Sequence, residues 1–232
     1  DGRVVGARVR GPEGEYAIDA HVVIGADGRR SAVAQAVGAD RPYRGSLPER
    51  GCVYRYLDDP MTGTEWRDAM VQFRQAESHV FVFPCPAGRM LVLFMGPRDD
   101  VSRFRADPEG MWAMRLAENP AAAERCAGAT NPSKIRSTTD TAAYFRRSSG
   151  PGWALCGDAG HFKDPAIGQG IRDALRFGRL LGEGLAPVLG DPVASDRAAA
   201  AVERRRDREC RSTYHWGNKE SRLGLPTPLF KE

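Results

Sequence analysis

The segment "LCGDAGHFKDPAIGQGIRDAL", residues 155–175, constrains the fold of this chain more than any other stretch. The apolar run "WALC" leading into it reads as a buried strand, and "GQGIRDALRFGRLLGEGL" reads as a helix with Ile171, Leu175 and Arg179–Leu180 at helical spacing. Between them the chain turns through Gly157, Asp158 and Ala159, then through Pro165, Gly168, Gln169 and Gly170. In open α/β sheets, ligands bind beyond the carboxyl ends of the strands. Asp158 could there accept hydrogen bonds from ligand hydroxyls. Glycines at a helix start would bring backbone N–H groups against an anion or an electron-rich ring. A helix-capping loop with incidental glycines explains the same residues equally well.

A second corner has the same form. "VVIGADGRRS", residues 22–31, begins with Val22, Val23 and Ile24, a run suited to a fully buried parallel strand. It then breaks at Gly25, Asp27 and Gly28 before a short helix in "GRRSAVAQAVGA", stopped by Gly38. On these residues alone, an ordinary strand–helix turn with Asp27 as N-cap is the better reading.

The rest of the chain supplies the frame. "RVVGARVR" and "EYAIDA" flank the turn "GPEG" as a β-hairpin. From Arg41, the runs "GCVYRYL", "AMVQFRQ", "HVFVFPC" and "RMLVLFMG" read as an antiparallel sheet. Helices follow at "DPEGMWAMRLAEN", with Asp107 before Pro108 in its first turn, and around "AAAERCAGA". "TDTAAYFRR" returns as a strand, "DPVASDRAAAAVERRRDRECRSTYHW" is a last long helix, and "GLPTPLF" ends irregularly. The fold class expected is α/β (α+β overall). One domain is assembled from residues 1–40 and 150–186, a mostly antiparallel sheet domain is inserted over 41–149, and a helical segment covers 187–232.

Composition excludes some functions. With 34 basic and 30 acidic residues the net charge is +4, too balanced to argue for nucleic acid. No apolar run approaches a membrane span. Five scattered cysteines without a CxxC pair read as reduced thiols of a cytoplasmic protein, and no metal site is expected.

Taken together, "GADGRRS" and "GDAGHFKDPAIGQG" resemble the flavoprotein monooxygenases of the p-hydroxybenzoate hydroxylase type (class A), with related halogenases and geranylgeranyl-reductase-like enzymes. The resemblance implies an FAD-binding Rossmann-like domain, with NAD(P)H as reductant, O2 as oxidant and a small organic substrate over the inserted sheet. Carried over, Asp158 holds the ribityl chain, flanked by Gly157 and Ala159, and Asp27–Gly28 lie near the pyrophosphate. Pro165 borders the flavin ring, and the amides from Gly168 through Gln169 and Gly170 to Ile171 face its pyrimidine edge. No side-chain triad is implied. The sequence departs from the family pattern in three ways. Ala32, Val33, Ala34 and Gln35 follow Ser31 where relatives carry an Arg. Ile167 and Arg172 replace the usual Gly and Asn. No GxGxxG follows a strand, which implies an incomplete FAD-binding domain truncated at its N-terminus.

Other residues carry weaker readings. His161 is expected to be a hydrogen-bonded loop histidine rather than a proton shuttle. Lys163 and Asp164 are either solvated or near substrate. The run "ERRRDREC" is expected to form a solvated face, and Tyr214 and Trp216 to pack the last helix. Of Tyr54, Tyr56, Phe73, Phe81, Phe83 and Phe94, alternate members are expected to be core.

Overall fold

The structure is a computed structural model that describes residues 2–75 and 77–224. All of the terminal run "GLPTPLF" except Gly224 lies outside the described residues. The chain divides into two compact units. Asp1–Leu47 and Ala142–Lys219 make the first, and the second is built on Pro48–Thr141.

The first unit opens with a hairpin of β1 (Gly6–Gly11) and β2 (Gly14–Asp19), in which Ala7 faces Ile18 and Val9 faces Tyr16. Next come β3 (Val23–Gly25) and the short α1 (Ala32–Ala36). The N-cap of α1 is Ser31, whose hydroxyl accepts the Ala34 amide at 2.8 Å. Asp27 is therefore not the N-cap. It accepts the Val33 amide at 3.1 Å from outside the helix. Gly38, at φ +64°, ends the turn.

The second unit is a five-stranded antiparallel sheet backed by helices. Along the chain run β4 (Pro42–Gly45, still in the first unit), β5 (Arg50–Asp58), β6 (Val71–Gln75), β7 (Ser78–Cys85), β8 (Arg89–Pro97) and β9 (Arg136–Thr138). The sheet order is β6-β7-β8-β5-β9. Helices α2 (Arg98–Ala106), α3 (Pro108–Ala117) and α4 (Pro120–Cys126) cover one face. Asp107 caps α3 through the Gly110 amide at 3.0 Å, with Pro108 at the first helical position. Strand periodicity sends Val53, Leu57, Val80, Val82, Val92 and Phe94 into the core with Val101, Phe104, Met111 and Trp112. The alternate residues Tyr54, Tyr56, Phe81 and Phe83 take the opposite face. There Phe81 and Phe83 stack with centroids 5.9 Å apart.

The chain then re-enters the first unit through β10 (Tyr144–Arg146), β11 (Ser149–Gly150), β12 (Trp153–Leu155) and β13 (His161–Phe162). It finishes with α5 (Gly170–Leu185) and α6 (Pro192–Glu220). β10 pairs with β4 and with β13, so residues 41–47 and 142–149 belong with the first unit. β12 lies between β11 and β3. The buried face of α5 is Asp173, Phe177, Leu181 and Leu185. Ile171 and Leu175, assigned to the apolar face from sequence, are 80% and 71% exposed. Leu181 and Leu185 pack on Ala154 and on Ala199 of α6. Each such leucine contributes about 1.5–3 kcal/mol by leaving water. Ile24, expected to be fully buried, is 47% exposed, because β3 has β12 as its one neighbour among the described strands.

Candidate functional site

The two corners are neighbours. β3 and β12 run parallel, with Val23 beside Trp153, Ile24 beside Ala154 and Gly25 beside Leu155. The Cys156 amide then donates to the Gly25 carbonyl at 2.8 Å. Both strands end at the same edge, so the turns at Asp27 and Asp158 leave side by side. Glycine at 25 is what allows this approach. A Cβ there would lie 2.7 Å from Leu155 Cδ2 and 2.8 Å from Val33 Cβ.

The two aspartates differ. The Asp27 carboxyl is held below its usual range. Burial acts to raise it, but hydrogen bonds from Ser31 and from the Val33 and Ala32 amides prevail. Its charge serves the start of α1. Asp158 is half-buried, and burial pushes its carboxyl up, partly offset by the charge of Arg29. No described residue donates a hydrogen bond to the Asp158 carboxylate. A carboxylate is an acceptor alone, and a half-buried one without a donor is set up to take hydroxyls.

Arg29, which sequence reasoning passed over, ties the corners together. Its guanidinium lies 3.8 Å from the Phe162 ring centroid and 5.3 Å from that of Tyr144, and both terminal nitrogens reach the Ala142 carbonyl at 3.3 Å. The stack fixes a positive charge close to Asp158. In a chain whose basic residues are nearly all Arg, one more Arg gives no local signal, so sequence offered no reason to single it out.

Beyond Asp158 the loop is built from local turns. The Asp164 carboxylate accepts the Ala166 amide at 2.9 Å, and Pro165–Ile167 form one 3-10 turn. Gly168, at φ +62°, closes that turn by donating its amide to the Pro165 carbonyl at 3.0 Å. The expected row of free amides is thus shorter by one. Gln169 caps α5, and no described backbone carbonyl accepts from the Gln169, Gly170 or Ile171 amides. A Cβ built at Gly168 or at Gly170 meets nothing within 4 Å, so the helix start faces open space. Flat groups can approach the backbone there.

Behind this loop lies a buried polar cluster. His161 Nε2 is 3.3 Å from Asp173 Oδ2, Lys163 Nζ is 2.6 Å from the same oxygen, and Cys210 Sγ lies 3.7 Å from His161 Nε2. Neither Lys163 nor Asp164 is solvated, at 4% and 2% exposure. His161 is buried and partnered on β13 rather than in a loop. Burial pushes its imidazole below the usual value despite Asp173. Burial likewise pushes the Cys210 thiol up to about 11. The donor atoms of His161, Asp173 and Cys210 lie within 4.8 Å of one another, a spacing a metal could bridge. The Lys163 ammonium already sits on the shared carboxylate. The "ERRRDREC" run is not wholly solvated either. Arg206 is 3% exposed and bonds Ser148 Oγ, and Tyr214 packs on Phe145, whereas Trp216 is 45% exposed.

A family profile described as an FAD binding domain matches residues 1–213. The chain belongs to the FAD binding domain family. Solved FAD-dependent halogenases and a probable FAD-dependent monooxygenase share its fold. Among curated proteins it is similar to digeranylgeranylglycerophospholipid reductase 2 of Methanopyrus kandleri, 27% identical over 231 residues, covering 96% of this chain and 56% of that protein. Among solved structures it is similar to the myxobacterial chondrochloren halogenase CndH, with a TM-score of 0.80 at 21% identity, covering 98% of this chain and 53% of that one. It also resembles PqsL of Pseudomonas aeruginosa, a probable FAD-dependent monooxygenase, with a TM-score of 0.72 at 20% identity over 92% and 58% of the two chains. This FAD binding domain thus spans little more than half the length of each of these three relatives. No helix among its described residues is long and apolar enough to cross a membrane.

Proposed function

We propose that this FAD binding domain is the flavin-holding portion of an FAD-dependent oxidoreductase, a monooxygenase that uses NAD(P)H and O2 on a small organic substrate. The observation that carries the reading is the pairing of β3 with β12. It brings the Asp27 corner beside the turn of Asp158, a carboxylate to which no described residue donates, and so supports a single site shared by the two corners. FAD presents ribityl hydroxyls, which are donors, and a pyrimidine edge that becomes electron-rich on reduction, so the residues present fit it. Bound FAD supplies the redox chemistry.

The chain's own residues hold and tune the cofactor. Asp158 accepts from the ribityl hydroxyls, with Gly157 and Ala159 shaping its turn. Pro165 borders the ring. The Gln169, Gly170 and Ile171 amides, at the positive end of α5, stabilise negative charge on the pyrimidine edge. Asp27 and Gly28 act one step back. Asp27 pins α1, and Gly28 at φ +81° leaves the backbone of that turn open towards the phosphates. Small organic substrates would lie over the aromatic face of the second unit.

Two other readings have specific support. The curated relative is named a reductase, and CndH is a halogenase on the same fold. Product analysis separates the three: with NAD(P)H and O2 an oxygenated product, with halide a halogenated one, with an alkene substrate a saturated one. The test of the cofactor comes first. The protein as encoded in full is expected to purify with, or take up, a chromophore with flavin absorbance. Asp158→Ala is expected to weaken FAD binding by about 1–3 kcal/mol, roughly 5- to 150-fold, through loss of the hydrogen bonds. Unchanged affinity in a folded variant removes Asp158 from the site, and absence of flavin binding by the intact protein removes the proposal.

A further inference from the structure

Asp173 lies in the first turn of α5, next to the open amides of Gln169 to Ile171, and its side chain is 3% exposed. A carboxylate there suits the helix, but it cancels the positive field that the helix start offers a ligand. Lys163 restores that field. Its ammonium is 2.6 Å from Asp173 Oδ2 with 1% of the side chain exposed, and it is anchored by Thr213 Oγ1 of α6 at 2.9 Å. The two other buried groups that touch Asp173 add no charge. His161 is held neutral by burial and Cys210 stays a thiol. Arg172 approaches Asp173 Oδ1 at 3.2 Å, but its side chain is 57% exposed and its charge is shared with water.

We propose that Lys163 is a positioning residue: through its buried ion pair with Asp173 it fixes the first turn of α5 and keeps that turn positive toward the pyrimidine edge of a bound flavin. The inference deepens the functional reading above and rests on it. The ion pair joins three elements, since Lys163 follows β13, Asp173 is on α5 and Thr213 on α6. Removing the ammonium leaves a buried carboxylate without its counter-charge beside the open amides. The loop from Pro165 to Gly170 then loses its anchor, and the field at the helix start falls by about one charge.

The experiment uses the protein as encoded in full and four variants: Lys163→Met, Lys163→Arg, Asp173→Asn and the double Lys163→Met/Asp173→Asn. Hydrogen exchange over residues 165–172 is read without FAD. It is expected to quicken tenfold or more in Lys163→Met and to return towards wild type in the double variant. The two-electron potential of bound flavin is the second reading. Lys163→Met is expected to weaken binding of reduced flavin about tenfold more than that of oxidised flavin, a fall of about 30 mV. The potential of Lys163→Arg and of the double variant should stay near wild type, and that of Asp173→Asn should rise. If Lys163→Met does not fold, the rise in Asp173→Asn decides. Exchange and potential both unchanged in Lys163→Met overturn the inference, as does a fall that the double variant fails to reverse. Failure of the wild type to bind FAD overturns the functional reading instead, and the exchange result still decides whether Lys163 anchors the turn.

Discussion

Replacing Arg125 with Met is expected to cost the second unit about 3–5 kcal/mol, the loss typical of leaving a buried charge without its partner. Arg125 donates from both terminal nitrogens to the two oxygens of Asp59 at 2.9 Å each. The side chains are 5% and 0% exposed. Burial acts to raise the Asp59 carboxyl, yet the Arg125 hydrogen bonds, the Met61 amide and the charge of Arg67 hold it below its usual range. Arg67, 4.0 Å away, is too distant to replace both bonds. The loss is read as a lower urea midpoint, followed by the fluorescence of Trp112 in the adjoining core. The double variant Arg125→Met/Asp59→Leu is expected to recover most of it, because an apolar pair needs no desolvation. A single variant within about 1 kcal/mol of wild type would show that the pair holds little together.

The second large effect is acid lability. His79 on β7 is 1% exposed, and no described residue bonds either ring nitrogen. Burial, then the charges of Arg50 and Arg74, push its imidazole down to about 3. The unfolded ring titrates near 6.5. Above that pH both states are neutral and nothing is lost. Below it the unfolded state binds a proton that the folded state refuses, so stability falls by about 1.4 kcal/mol per pH unit until about pH 3 is reached. Between pH 7 and pH 5 the loss is about 2 kcal/mol for His79, and His161 in the first unit is shifted the same way. His79→Leu is expected to abolish this part of the pH dependence in the second unit. Stability at pH 7 should be equal or slightly greater, since two buried polar atoms without partners are removed. Urea midpoints at pH 7 and pH 5 check it. An unchanged acid slope in His79→Leu would mean that the ring is not held neutral.

How far the sequence speaks depends on whether a signal is local. The sheet of the second unit was legible because β5, β7 and β8 alternate core and non-core residues along each strand. The start of α3 was legible because Asp107–Pro108 is a local capping signature. Helix α2 went unread. "RDDVSRFRA" is mostly charged, and its buried side is carried by Val101 and Phe104 with Asp100. The long helix α5 was found but turned the wrong way. Periodicity gives two stripes, and the one with Ile171 and Leu175 is the exposed one. Asp173 recurs at helical spacing with Phe177, Leu181 and Leu185. That register was the available sign of a buried carboxylate in need of a cation, but the cation, Lys163, could be identified only in three dimensions.

The same limit applies to the site. Asp158 and the glycines around Gln169 were legible as a corner, because strand ends followed by glycine and helix starts are local patterns. That the Asp27 corner stands beside them depends on the parallel register of β3 and β12, which no stretch of sequence states. Arg29 and the His161–Asp173–Cys210 cluster likewise depend on tertiary contacts that no local pattern states.

The most direct test is the hydrogen-exchange footprint of FAD on the protein as encoded in full. One shared crevice predicts that FAD slows exchange together over residues 25–33 and 157–171, with the aromatic sheet of the second unit far less affected. Protection of one corner alone, or of neither while FAD is bound, would contradict it.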